Sequence, residues 1–218
     1  ISGGETQSSG ATSGSATLST RDNGDGDSGE IELKTGTATT GKGGHIRLSV
    51  GTGDRNNGGV VTVVAGTTTA DDANTGHGGH ILLQGGVTQA EAAASKTGGI
   101  ISINGGASSS TSGGHVRIST GTGTVHTGGF LSLITDQGTA TSSGSIFVKT
   151  SDAGTTGVSG HLTFSSGEST SGTSGEFKIG TGDAVSGKGG SFSVTIGEGN
   201  KGAGGGITFT AGKSTAGD

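Results

Sequence analysis

The sequence predicts an all-β fold: a β-solenoid, that is a parallel two-sheet β-helix, running as a single repeat array over 1–218. Three observations lead there. A glycine recurs in register along the whole chain. An apolar pair follows each of these glycines at a fixed distance. And Gly, Thr and Ser, at 52, 35 and 30 of 218 residues, leave only 26% hydrophobic content, against roughly 45–50% in ordinary globular domains. So little apolar material excludes a conventional core. The absence of proline excludes collagen. Patterned β-branched residues distinguish the chain from a Gly/Ser linker. Regular repeats remain.

The register starts from its anchor glycines: Gly14, Gly29, Gly44, Gly59, Gly79, Gly99, Gly114, Gly129, Gly144, Gly160, Gly175, Gly190 and Gly205. Steps between them are 15 residues, except one of 16 and two of 20. Two and four places after each anchor stands an apolar pair, from Ala16/Leu18 through Val61/Val63 and Leu131/Leu133 to Ile207/Phe209. A spacing of two puts both side chains on one face of a strand and not on one face of a helix.

Each repeat then reads as a strand of about six residues and a polar connection of about eight or nine. A second glycine closes most strands seven places after the anchor, as at Gly36, Gly51, Gly86 and Gly121. These bracketing glycines read as corners that need unusual backbone angles. The two 20-residue steps place longer loops at 67–77 and 87–97, where a solenoid tolerates insertion. The only helix-tolerant stretch, Ala90-Glu91-Ala92-Ala93-Ala94, is too short to stand alone. Outward positions alternate. Three places after odd anchors come Arg47, Leu82, Arg117 and Phe147, and after even ones Glu32, Thr62, Ser102 and Ser132. This predicts a 30-residue, two-strand coil with about 13 strand-turn repeats. A 15-residue coil with one long sheet is the runner-up, and a flat antiparallel meander the third.

No cysteine is present, which excludes disulfides, thiol nucleophiles and Cys-type zinc sites. A net charge of −5 with 12 basic residues argues against nucleic acid as a partner. No apolar run approaches a membrane span. No P-loop, His-Glu-x-x-His or Ser/His/Asp order occurs, and no Trp or Tyr could line a sugar-cleaving groove. The expectation is therefore no enzyme, no cofactor and no resident metal. A surface histidine row (His45, His80, His115) and the acidic turn Asn23-Gly24-Asp25-Gly26-Asp27 are the weak metal candidates weighed against it. The longer loops carry an acidic pair, Asp71-Asp72. With no methionine and no visible caps, the chain reads as a processed or excerpted array, or one built to stack end to end.

Even repeats carry outward apolar residues: Val60, Val64, Ile100, Phe130 and Ile134. A strand apolar on both sides is buried on both sides or forms a contact surface. These five are the expected assembly face, used laterally against another copy. Arg47, Arg117 and Lys178 offer a basic stripe, interrupted by Leu82 and Phe147, to an anionic polysaccharide. The rows Thr37-Ala38-Thr39, Thr67-Thr68-Thr69, Thr122-Gly123-Thr124 and Thr139-Ala140-Thr141 resemble the Thr-x-Thr rows of solenoid antifreeze proteins. That resemblance implies ice binding through Thr37, Thr39, Thr67, Thr69, Thr122, Thr124, Thr139 and Thr141. Asp54, Gln89, Gly154 and Val185 interrupt it in other repeats.

As a whole the chain resembles the Gly/Ser/Thr-rich β-solenoid repeats of microbial cell-surface, adhesin and fibre proteins. The resemblance implies an extracellular or cell-surface structural protein that assembles with itself into a fibre, coat or stalk. Ice binding and polysaccharide binding are the alternatives.

Overall fold

Bends recur with the glycine register. The computed structural model describes residues 12–55, 57–69, 76–88, 96–139 and 141–215. Within them the backbone bends at 24–26, 39–41, 54–55 and 57, 109–111, 124–126, 139 and 141, 155–157, 170–172, 185–187 and 200–203. Each bend falls about ten to twelve residues after an anchor, in odd and even repeats alike. Between bends the chain runs unbent through the anchor and its apolar pair. The backbone period is therefore 15 residues, and only the chemistry of the outward positions alternates at 30.

The chain divides into two units, Ile1–Arg117 and Ile118–Asp218. In both, the same contact closes each bend. The residue six places after an anchor lies against the next anchor glycine. In the first unit a Cβ added at Gly59 would stand 2.5 Å from Val50 Cγ1, and in the second one added at Gly205 would stand 2.9 Å from Ile196 Cγ2. Thr20 over Gly29, Thr35 over Gly44, Thr120 over Gly129 and Thr181 over Gly190 repeat the arrangement. In five consecutive repeats a single backbone bond joins the base of the loop: Gly79 N donates to Gly66 O at 2.9 Å, Gly99 N to Gly86 O at 2.8 Å, Gly114 N to Gly106 O at 2.8 Å, Gly129 N to Gly121 O at 3.0 Å and Gly144 N to Asp136 O at 3.3 Å.

That single bond is where pairing stops, and it overturns the predicted fold. Among the described residues there is no helix and no β-strand, so neither the two-sheet β-solenoid nor either of the other sheet arrangements forms. Nor is any described residue buried, so the apolar pairs do not face one another across a thin core. The accessible surface is 22045 Å² for a 20.5 kDa chain. A folded monomer of that mass exposes about 9,000 Å² and its extended chain about 30,000 Å². The physical reason lies in the composition. Two inward side chains per repeat withdraw little surface from water. Ordering a backbone rich in glycine costs the most conformational entropy of any. Period-two patterning demands an unbent backbone but not a neighbour to pair with.

The alternation itself survives. Ile101 and Ile103, the pair behind Gly99, are 50% and 63% exposed, whereas the outward Ile100 is 90% exposed. The positions six after an anchor share the inward parity, and several are half-buried: Thr20, Ala65, Gly85, Thr135 and Thr150. The bracketing glycines are not the predicted corners. A Cβ added at Gly36, Gly51, Gly86 or Gly121 would meet nothing within 4 Å. Positive φ falls in the bends instead, at Gly157 (146°), Gly172 (127°), Ser186 (63°) and Gly202 (78°). The Ala90–Ala94 stretch, Gln89 and the Asp71-Asp72 pair lie outside the described residues, as do the middles of the two longer loops.

Candidate assembly face

In the first unit the candidate face comprises Val60, Val64 and Ile100, and in the second Phe130 and Ile134. Each stands one or five places after an even anchor. That parity is opposite to the apolar pair, so the side chains project away from the loop-base contacts. All five are among the most exposed apolar residues, Phe130 at 90% and Ile134 at 85%. Leu82 and Phe147 are similarly open after odd anchors. Only one aromatic contact occurs among the described residues. Phe164 and Phe177, pair residues of consecutive repeats in the second unit, stack with ring centroids 6.5 Å apart and planes 24° from parallel. All six phenylalanines belong to that unit.

Hydroxyls and amides hold the bends. Ser108 Oγ accepts from the Thr111 amide at 3.0 Å and the Ser110 amide at 3.4 Å, and shares a 3.0 Å hydrogen bond with Thr111 Oγ1. Asn23 Oδ1 accepts from Asp25 N at 3.3 Å while Asn23 Nδ2 donates to Asp27 O at 3.2 Å. The acidic turn thus spends its asparagine on its own backbone. Across loop bases, Thr88 Oγ1 donates to Thr97 O at 2.9 Å and Thr135 Oγ1 to Gly144 O at 3.2 Å.

The threonine rows are differently placed. Thr37, Thr39, Thr67, Thr69, Thr122, Thr124, Thr139 and Thr141 are all exposed in the connections or their bends. With no sheet among the described residues, nothing there sets them in one plane. The histidine row His45, His80 and His115 depended on stacked coils, and no coil stacks it. Among the described residues no three His, Cys, Asp or Glu side chains gather as a metal would need, and no enclosed cavity forms. Arg47 and Arg117 are exposed. Ion pairs are local and solvated, Lys34 with Glu32 at 2.9 Å and Lys149 with Asp152 at 3.5 Å. No helix among the described residues is long and apolar enough to cross a membrane.

No family model, curated protein or solved structure matches the chain. The site therefore rests on its own geometry. The position that reasoning from the sequence missed is the one six after the anchor. Its signal was present: threonine stands there at Thr20, Thr35, Thr120, Thr135, Thr150 and Thr181, on the same parity as the apolar pair.

Proposed function

We propose that this chain is a non-enzymatic, extracellular structural repeat protein that assembles with copies of itself into a fibre, coat or adhesive stalk. The carrying observation is the state of its apolar residues. They alternate in register through every repeat, yet none of those described is buried. Apolar surface left in water drives association. A second copy carries the same residues at the same spacing, so every repeat finds an equivalent partner. Opposing charge is weak, at 13% charged residues and a net −5. Val60, Val64, Ile100, Phe130 and Ile134 are open to the partner on the face opposite the apolar pairs.

Sedimentation velocity over a hundredfold concentration range tests the reading. The expected result is mass-action growth of higher species in the parent chain. The Phe130→Lys/Ile134→Lys double variant should shift that growth to about tenfold higher concentration or beyond, since burying each such side chain contributes roughly 1.5–3 kcal/mol. A parent chain that stays monomeric throughout overturns the assembly. A variant that assembles like the parent overturns this face.

A further inference from the structure

We infer that Asn57-Gly58 is a site of spontaneous covalent modification, at which the asparagine amide is lost through a cyclic imide. Three Asn-Gly dipeptides occur in the chain: Asn23-Gly24, Asn57-Gly58 and Asn104-Gly105. The chemistry needs the backbone nitrogen of the glycine to reach Cγ of the preceding asparagine. Glycine permits the approach because it has no side chain in the way and a freely varying backbone.

The structure separates the three sites. Asn23 is restrained at both ends of its amide, its oxygen accepting from Asp25 N and its nitrogen donating to Asp27 O. Asn104 Nδ2 donates to Ser102 Oγ at 2.7 Å. The Gly105 Cα, moreover, is approached so closely by the Gly114 carbonyl oxygen that no Cβ would fit there. Asn57 has neither restraint. It is exposed, it is itself a bend residue, and its side chain makes no hydrogen bond among the described residues. A Cβ at Gly58 would meet nothing within 4 Å.

The step balances without any cofactor. The Gly58 nitrogen bonds to Asn57 Cγ, the Cγ–Nδ2 bond breaks, and ammonia leaves with the proton from the Gly58 amide. Water then opens the five-membered imide. Cleavage of its Cγ–N bond gives aspartate. Cleavage on the other side gives isoaspartate, whose β-linkage adds one methylene to the main chain. Either product adds one negative charge two places before the anchor Gly59. The isoaspartate also shifts the parity of side chains between this bend and the run beginning at that anchor.

The test is peptide mapping by mass spectrometry of the full chain held in neutral buffer, with chromatographic separation of aspartate and isoaspartate. The peptide bearing Asn57 should gain about one mass unit severalfold faster than those bearing Asn23 and Asn104. In guanidinium the three rates should converge, because the restraints at the slower sites are lost. Gly58→Ala, which the open space admits, should slow Asn57 severalfold and leave the other two unchanged. Loss at Asn57 no faster than at Asn104 in native buffer would overturn the assignment. So would a lead of Asn57 that persists undiminished in denaturant.

Discussion

At Gly99 an added methyl would stand 2.7 Å from the Gly86 nitrogen, while at Gly86 it would meet nothing within 4 Å. The two glycines share one hydrogen bond and differ in what they can lose. Gly99→Ala must push apart the loop base and break the bond from Gly99 N to Gly86 O, which contributes about 0.5–1.5 kcal/mol. Amide exchange at position 99 should then rise to the rate of an unprotected peptide. Gly86→Ala should leave that exchange unchanged or slow it, because restricting the unfolded chain is worth about 0.4–1 kcal/mol where the backbone angle is compatible. Equal effects of the two substitutions would show that the anchor glycine is not selected by crowding. Ser186 poses the reverse case. Its φ of 63° costs a residue with a Cβ about 1–2 kcal/mol, whereas the bends either side place their positive φ on glycines one position further from the anchor, Gly172 and Gly202. Ser186→Gly should narrow the conformational averaging of the 185–187 bend, read as larger spreads in its amide and Hα shifts. Narrower spreads, nearer random-coil values, would contradict a strained serine.

Each bend is an element in its own right, and its contacts are side-chain hydroxyls as much as backbone. Thr135→Val keeps the β-branched shape above Gly144 but removes the bond from Oγ1 to Gly144 O. Ser108→Ala removes the acceptor for the Ser110 and Thr111 amides. Each should loosen its own bend by about 0.5–1.5 kcal/mol and leave the next repeat untouched, since no ladder transmits the change. Residue-resolved hydrogen exchange checks both the size and the confinement; loss of protection several repeats away would reveal cooperative stacking. The same elements mark what is legible in the sequence. The 15-residue period is, because bends need small polar residues and these recur with the glycines. The two-faced alternation is, because Ile100 and Ile101 differ in exposure by virtue of parity alone. Sheet pairing is not, because a pair such as Ile101/Ile103 has the same spacing whether or not a neighbouring strand lies beside it. The corner glycines misread for a related reason: glycine at Gly51 and Gly121 looks like a turn residue, but its space is open and the turn is made three to five residues later. Of the candidate face, parity and apolar character are legible in Val60 and Phe130, while the crowding that positions Gly59 and Gly129 depends on Val50 and Thr120 folding back across nine residues.

For the molecule as a whole, heat capacity separates an internally packed protein from one that completes its burial against copies of itself. Unfolding raises heat capacity in proportion to the apolar surface it exposes. With 22045 Å² already accessible, against about 30,000 Å² for the extended chain and 9,000 Å² for a folded monomer, the dilute chain has only about a third of the usual surface left to expose. Its heat-capacity change should be about 4–5 cal/mol/K per residue instead of the usual 12–15. Scanning calorimetry of the dilute chain should accordingly give a broad, weak transition. Assembly should supply the missing burial. The heat of dilution measured at several temperatures should therefore yield a negative heat-capacity change of association, reduced in the Phe130→Lys/Ile134→Lys variant. A sharp endotherm with a globular heat-capacity increment in the dilute chain would mean that the apolar pairs already find one another within a single molecule, and association would then have no unburied surface to draw upon.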